Sequence, residues 1–213
     1  MQICKNSVPL FKHSEDLNVE TKTIGKTTIR QILCRSDEMN GMILRETDIL
    51  TEDWNCQADD FDGLIYMMFL KEEDKVLPLY IGKAETIGKG NRNLSTNIVN
   101  LHSKQSNFAR WEDNYAYHIG DLSSVAVPGH DFIKSTIKYR KWAETLFVEF
   151  PVTKPKLKHE VYFWTTAWSK TNIGIWEEFG PIQLTFLEYL LIGVASSVFH
   201  ELLLNMEGQN RSI

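Results

Sequence analysis

Along residues 63–84, GLIYMMFLKEEDKVLPLYIGKA, two apolar runs flank a charged link. The pattern predicts two short strands joined as a hairpin. HEVYFWTTAWS, residues 159–169, is the strongest strand in the chain, dense in aromatic and β-branched residues. NVETKTIGKTTIRQILC, residues 18–34, alternates β-branched with polar residues and predicts one or two strands. Elsewhere the apolar positions recur at helical spacing. Leu94, Ile98 and Leu101 do so after a glycine-containing stretch, and Ile133, Ile137, Trp142 and Leu146 within residues 131–150. Leu184, Leu187, Leu191 and Val194 do so behind Pro181, a residue suited to a first helical turn. This last helix is expected to reach residues 199–204 and to stop near Asn205 or Gly208. Residues 107–122 suggest a short helix followed by a strand over 115–119, and SSVAVPGHD after them reads as a loop. The first 60 residues otherwise show weak periodicity. The order predicts a single α+β domain with a small, mostly antiparallel sheet flanked by helices. Residues 1–60 form an N-terminal extension packed on it.

A hydrophobic share of 43% in 213 residues is enough for a real core. The N-terminus lacks a basic start followed by an apolar block, so no secretory signal is read there. The apolar stretch at residues 187–199 is too short to span a membrane and contains Glu188. Cys4, Cys34 and Cys56 are widely spaced, with no CxxC pair, which suits thiols in a reducing cytoplasm. The net charge of −5 changes the picture only through its distribution. Acids crowd residues 45–75, whereas Lys83, Lys89, Arg92, Lys104 and Arg110, and then Lys134, Lys138, Arg140, Lys141, Lys154, Lys156 and Lys158, make the middle basic. That segregation is compatible with a polyanion along one face, and equally with an ordinary surface of mixed sign.

Candidate chemistry is sparse. Gly25-Lys26-Thr27 imitates the end of a phosphate-binding loop. The glycine that motif needs five residues earlier is Glu20, an anion where the phosphate would sit. The motif is rejected. Glu188 lies inside FLEYLLIG, where an ionised carboxylate needs a partner, a cation or the helix's solvent edge. Tyr66 and Tyr80, one in each arm of the hairpin, both lie within three residues of a glycine. Taken singly they are common strand residues.

Taken in order, these residues resemble the GIY-YIG nuclease family. GLIY at residues 63–66 and YIG at 80–82 are similar to its paired motifs, with Leu64 standing between the glycine and Ile65-Tyr66. Lys83 follows, then Arg92 twelve positions after Tyr80, then Glu188 in LEYLLI and Asn205 in LLN. The family's histidine one turn after the arginine is Thr96 here, and His102 is a weak substitute. The resemblance implies a GIY-YIG-like sheet over residues 61–213, with an insertion at about 101–158. It implies a metal-dependent endonuclease, of restriction or phage-defence type, that hydrolyses DNA rather than RNA. Glu188 would hold one Mg²⁺ or Mn²⁺ and Arg92 would grip phosphate oxygens. Tyr66 would serve as general base, its pKa lowered by Lys83 and the metal, while Tyr80 would orient water or phosphate. Asn205 would fix the glutamate or a metal-bound water. The interleaved Arg110, Trp111, Tyr115, Tyr117, His118, Lys138, Tyr139, Arg140, Lys141 and Trp142 offer a nucleic-acid surface, or core rings of an enlarged domain. An inactive nucleic-acid binding module and a protein-interaction domain are the alternatives.

Overall fold

The computed structural model describes residues 2–25, 29–73, 75–88, 93–99, 101–103, 118–130 and 137–208. A one-turn helix α1 (Gln2–Lys5) leads into strand β1 (Val8–Pro9), followed by the hairpin β2 (Thr21–Ile24) and β3 (Arg30–Leu33). Helix α2 (Asp37–Cys56) precedes the long hairpin β4 (Phe61–Glu72) and β5 (Lys75–Glu85). Then come α3 (Ile119–Ala126), α4 (Ile137–Leu146), β6 (Tyr162–Ser169) and α5 (Leu184–Val198). The main sheet is antiparallel with strand order β1-β6-β4-β5. The α+β class, the 63–84 hairpin, the strand at 159–169 and the two strands within 18–34 all match the sequence pattern.

Residues 63–69 are buried without interruption because both sheet faces are covered. Leu64, Tyr66 and Met68 join one core with Tyr80, Ala84 and the inner residues of α2, α3 and α4. Ile65, Met67 and Phe69 join a second core with Ile81 and α5. Pro78 is tolerated because β5 is an edge strand, and Leu79 is the extra residue of a bulge opposite Met68 and Phe69.

Helix α2 escaped the sequence reading. Two of its core-facing positions are polar: Thr47, whose hydroxyl donates back to the Ile43 carbonyl, and Asp53, which accepts the Asp60 N–H. Ser36 caps it by accepting the Met39 N–H at 2.9 Å. Helix α2 packs on β6, β4 and β1, so residues 1–60 supply an edge strand and a covering helix to the same core.

Other expectations are corrected. Ser123–Ala126, expected as loop, are the second half of α3, and Ile119 opens that helix rather than closing a strand. Within residues 131–150 the described helix covers Ile137–Leu146; Ile137 is 80% exposed, and Tyr139, Trp142, Ala143 and Leu146 face inward. Ile133 lies outside the described residues. Residues 96–99 and 101–103 form turns, although Ile98 and Leu101 are buried as their spacing suggested. Helix α5 is rotated from the expected face, with Val194 exposed and Ile192 and Ala195 buried. Asp62 accepts the Leu184 N–H and so caps that helix from β4. The helix ends at Val198, and residues 203–205 return to the sheet edge. No helix among the described residues is long and apolar enough to cross a membrane.

Candidate active site

The two glycines of the hairpin have steric reasons. Tyr66 stands opposite Gly82 in the β4–β5 register, and a Cβ on Gly82 would fall 2.6–2.7 Å from Cε2, Cζ and Oη of Tyr66. The phenol therefore lies flat over the glycine Cα. Gly63, at φ +150°, lets β4 run against the Ala84 carbonyl and the Leu184 side chain, where any Cβ would clash.

Tyr80 lies beside Tyr66, with ring centroids 6.5 Å apart. Around Tyr80 the chain gathers rings from the 101–158 region: His118 edge-on at 5.0 Å and Trp142 at 5.0 Å. His118 Nδ1 meets the Tyr139 hydroxyl at 2.7 Å. Trp142, Tyr139 and His118 are buried, so these rings fill the core instead of forming a stacking surface. Lys138 differs from them. Its half-buried side chain brings Nζ to 4.9 Å from the Tyr80 ring centre. Arg110, Trp111, Tyr115 and Tyr117 lie outside the described residues.

The outer edge of β5 is where the two faces meet. Asn205 Oδ1 accepts the Ile81 N–H at 2.9 Å, and its Nδ2 donates to the Ile81 carbonyl at 2.8 Å. Both backbone groups of Ile81 thus point away from β4, and so must those of Lys83 two residues on. The Lys83 N–H is directed at Glu188, which brings that carboxylate from α5 to the free edge beside Gly82. Just below, the Leu204 N–H donates to the Leu79 carbonyl at 2.6 Å. Three successive outward rungs of β5 are thereby capped by Leu204, Asn205 and Glu188, which hides an otherwise open strand edge.

The electrostatics follow from this placement. Burial raises the pKa of Glu188, and Glu85 and Glu207 add to the rise; the Lys83 ammonium and N–H oppose it. Burial pushes the Tyr66 phenol well above its ordinary value, and the charges of Tyr80 and Glu188 push the same way. Tyr80 is pushed up to about 12 by burial, then Glu188 and Glu207. The expected lowering of Tyr66 by Lys83 is therefore corrected. Tyr66 is only 4% exposed, and the Lys83 ammonium is ion-paired with Glu85, which also accepts from the Thr185 hydroxyl. Asn205 is corrected too: its carboxamide is committed to the β5 backbone and does not position the glutamate.

Tyr66, Tyr80, Lys83 and Glu188 converge around Gly82, and Arg92 lies outside the described residues. Lys138 and Glu207 join the site without having been singled out in it; the cation-and-ring string KYRKW was the only sequence signal for Lys138. Among the described residues no three His, Cys, Asp or Glu side chains form a group able to hold a metal ion. The donor set still suits a hard cation that keeps most of its waters, because Glu188 is partly desolvated and repelled by neighbouring carboxylates. No family model, curated protein or solved structure matches the chain.

Proposed function

We propose that this chain is a metal-dependent endonuclease that hydrolyses phosphodiester bonds in DNA through a GIY-YIG-type site. The observation that carries the reading is the Tyr66 phenol over Gly82, with Tyr80 beside it and a partly desolvated Glu188 on the neighbouring Lys83 N–H, whose charge acts on both rings. Burial in such a place is costly for a carboxylate and is explained by a task. Glu188 would hold Mg²⁺ or Mn²⁺, and the bound ion would supply Lewis-acid stabilisation of phosphate charge. With its proton held tightly, Tyr66 would act first as a hydrogen-bond donor that orients the attacking water or a phosphate oxygen. It would accept a proton only when positive charge at the site offsets its burial. Tyr80 would place a second hydroxyl against the phosphate. Lys83 would steady the anionic edge, and Arg92 would grip the non-bridging oxygens.

The test is cleavage of mixed single- and double-stranded DNA with Mg²⁺ or Mn²⁺, wild type beside Glu188→Ala and Tyr66→Phe. Metal-dependent cutting by wild type that both variants fail to perform supports the reading. A second reading, a GIY-YIG-like module that binds nucleic acid without cutting it, is favoured by the burial and raised pKa of Tyr66. Binding by all three proteins with no cutting by any of them would select it.

A further inference from the structure

Strand β1 pairs with β6 only as far as Phe163, and β6 runs on to Ser169. Backbone groups alternate between the two sides of an antiparallel strand. The Ala167 N–H points outward, away from β4, where Glu46 Oε2 of α2 accepts it at 2.7 Å. The N–H and C=O of Thr165, two residues back, therefore point the same way. Among the described residues neither group meets a hydrogen-bond partner there. The Thr165 hydroxyl is used elsewhere, on the Ile65 carbonyl. The far edge of the sheet is treated differently, because the Asn205 carboxamide takes both backbone groups of Ile81. Thr165 leaves the same donor and acceptor open.

A cavity of about 660 Å³, the size of an ordinary small-molecule site, lies along this stretch of β6 and is lined by Thr165 itself. Helix α2 contributes Arg45 and Glu46, and α1 contributes Lys5. Trp164 and Trp168, both half-buried, line it from the sheet face opposite α2. The Trp168 ring is fixed by its N–H on the Ile182 carbonyl at 2.9 Å. Arg45 and Lys5 are exposed cations, whereas the Glu46 carboxylate is engaged by Ala167. Because Glu46 covers the next N–H, the edge suits one planar donor–acceptor group better than an added peptide strand.

We propose that this cavity binds an adenine nucleotide. Ring N1 accepts the Thr165 N–H and the exocyclic amino group donates to the Thr165 carbonyl, which repeats the Asn205 arrangement with a base edge. An indole lies against the base, and Arg45 with Lys5 takes the phosphate. The site belongs to the β6 side of the sheet, across β4 from the β5 edge that carries Glu188, so it does not depend on phosphodiester cleavage. The nucleotide is either free or an unpaired residue of a strand, since both carry the same groups.

The experiment uses the full chain in EDTA, with AMP and, separately, a short single strand of deoxyadenosine nucleotides as probes. Affinity is measured by calorimetry, and amide hydrogen exchange is followed at Thr165 and Ile81. Binding is expected to slow exchange at Thr165 and leave Ile81 unchanged. Arg45→Gln, at an exposed helical position, is expected to keep its urea midpoint and bind roughly tenfold more weakly. Slowing by AMP alone assigns a free nucleotide, and slowing by the strand alone assigns an unpaired base; either supports the site. No slowing at Thr165 with either probe would overturn the assignment, as would wild-type affinity in Arg45→Gln. Cutting in Mg²⁺ is read separately: its absence sinks the nuclease and leaves the nucleotide site standing, and its presence does not rescue a Thr165 amide that no probe protects.

Discussion

A methyl group at residue 82 would land inside the Tyr66 ring, so Gly82→Ala should lift the phenol off β5 or part the strands. The expected cost is about 1–3 kcal/mol in urea unfolding, accompanied by loss of any cutting. A variant as stable as wild type would show that the ring does not lie on that glycine. Glu188 gives a prediction with a definite sign. Its folded-state pKa is raised, so the protonated carboxyl favours the folded form, and that contribution is present below the ordinary 4.5 and lost as pH rises through the folded value. Glu188→Gln should therefore be more stable than wild type at neutral pH, with the difference vanishing near pH 4. Urea midpoints at both pH values check this, and a destabilised glutamine variant at neutral pH would mean the carboxylate is needed for packing. The paired glycines and tyrosines were legible in sequence because backbone proximity leaves a compositional mark. The burial of Tyr66 was not, since it comes from α2 and from rings far along the chain.

At the scale of elements, the β5 edge is closed by side chains as well as by strands. Asn205→Leu removes both hydrogen bonds to Ile81 and leaves two backbone groups inside the edge without partners. A loss of about 1–3 kcal/mol is expected, with faster amide exchange at Ile81. A variant that no longer cuts, with stability and exchange unchanged, would instead return Asn205 to the expected role of fixing the glutamate or a metal-bound water. The strands were readable because the hairpin and β6 are apolar runs of strand length, whereas α2 hides its period behind Thr47 and Asp53. Helix α5 was found but turned, because apolar residues surround it. With Phe186, Tyr189, Val194 and Val198 all exposed, periodicity alone cannot choose its buried face.

At the scale of the molecule, residues 1–60 share a core with the hairpin, β6 and the helices after residue 118. Strand β1 pairs with β6, and Met39, Met42, Ile43 and Leu50 of α2 pack in the cluster that holds Tyr66 and Phe163. A chain beginning at residue 61 is expected to lack a cooperative thermal transition, read by circular dichroism; a sharp transition would show that the module folds alone. The same cluster takes in Ile119, Leu122, Tyr139 and Trp142, so α3 and α4 also form part of the wall behind the tyrosines. Sequence order placed Tyr66, Tyr80 and Lys83 on one hairpin, Arg92 near the start of a helix, and Glu188 and Asn205 on the last helix and its end. The fold brings Tyr66 over Gly82, with Tyr80 beside it and Glu188 on the Lys83 N–H of the same edge strand. The most direct test of that meeting is metal-dependent cleavage of DNA by wild type beside Glu188→Gln, with urea midpoints taken on the same samples with and without Mg²⁺. The expected result is cutting by wild type alone and stabilisation of wild type alone by the ion, with the glutamine variant folded and more stable without it. Equal cutting by both proteins, or equal stabilisation of both by Mg²⁺, would contradict a metal site at Glu188.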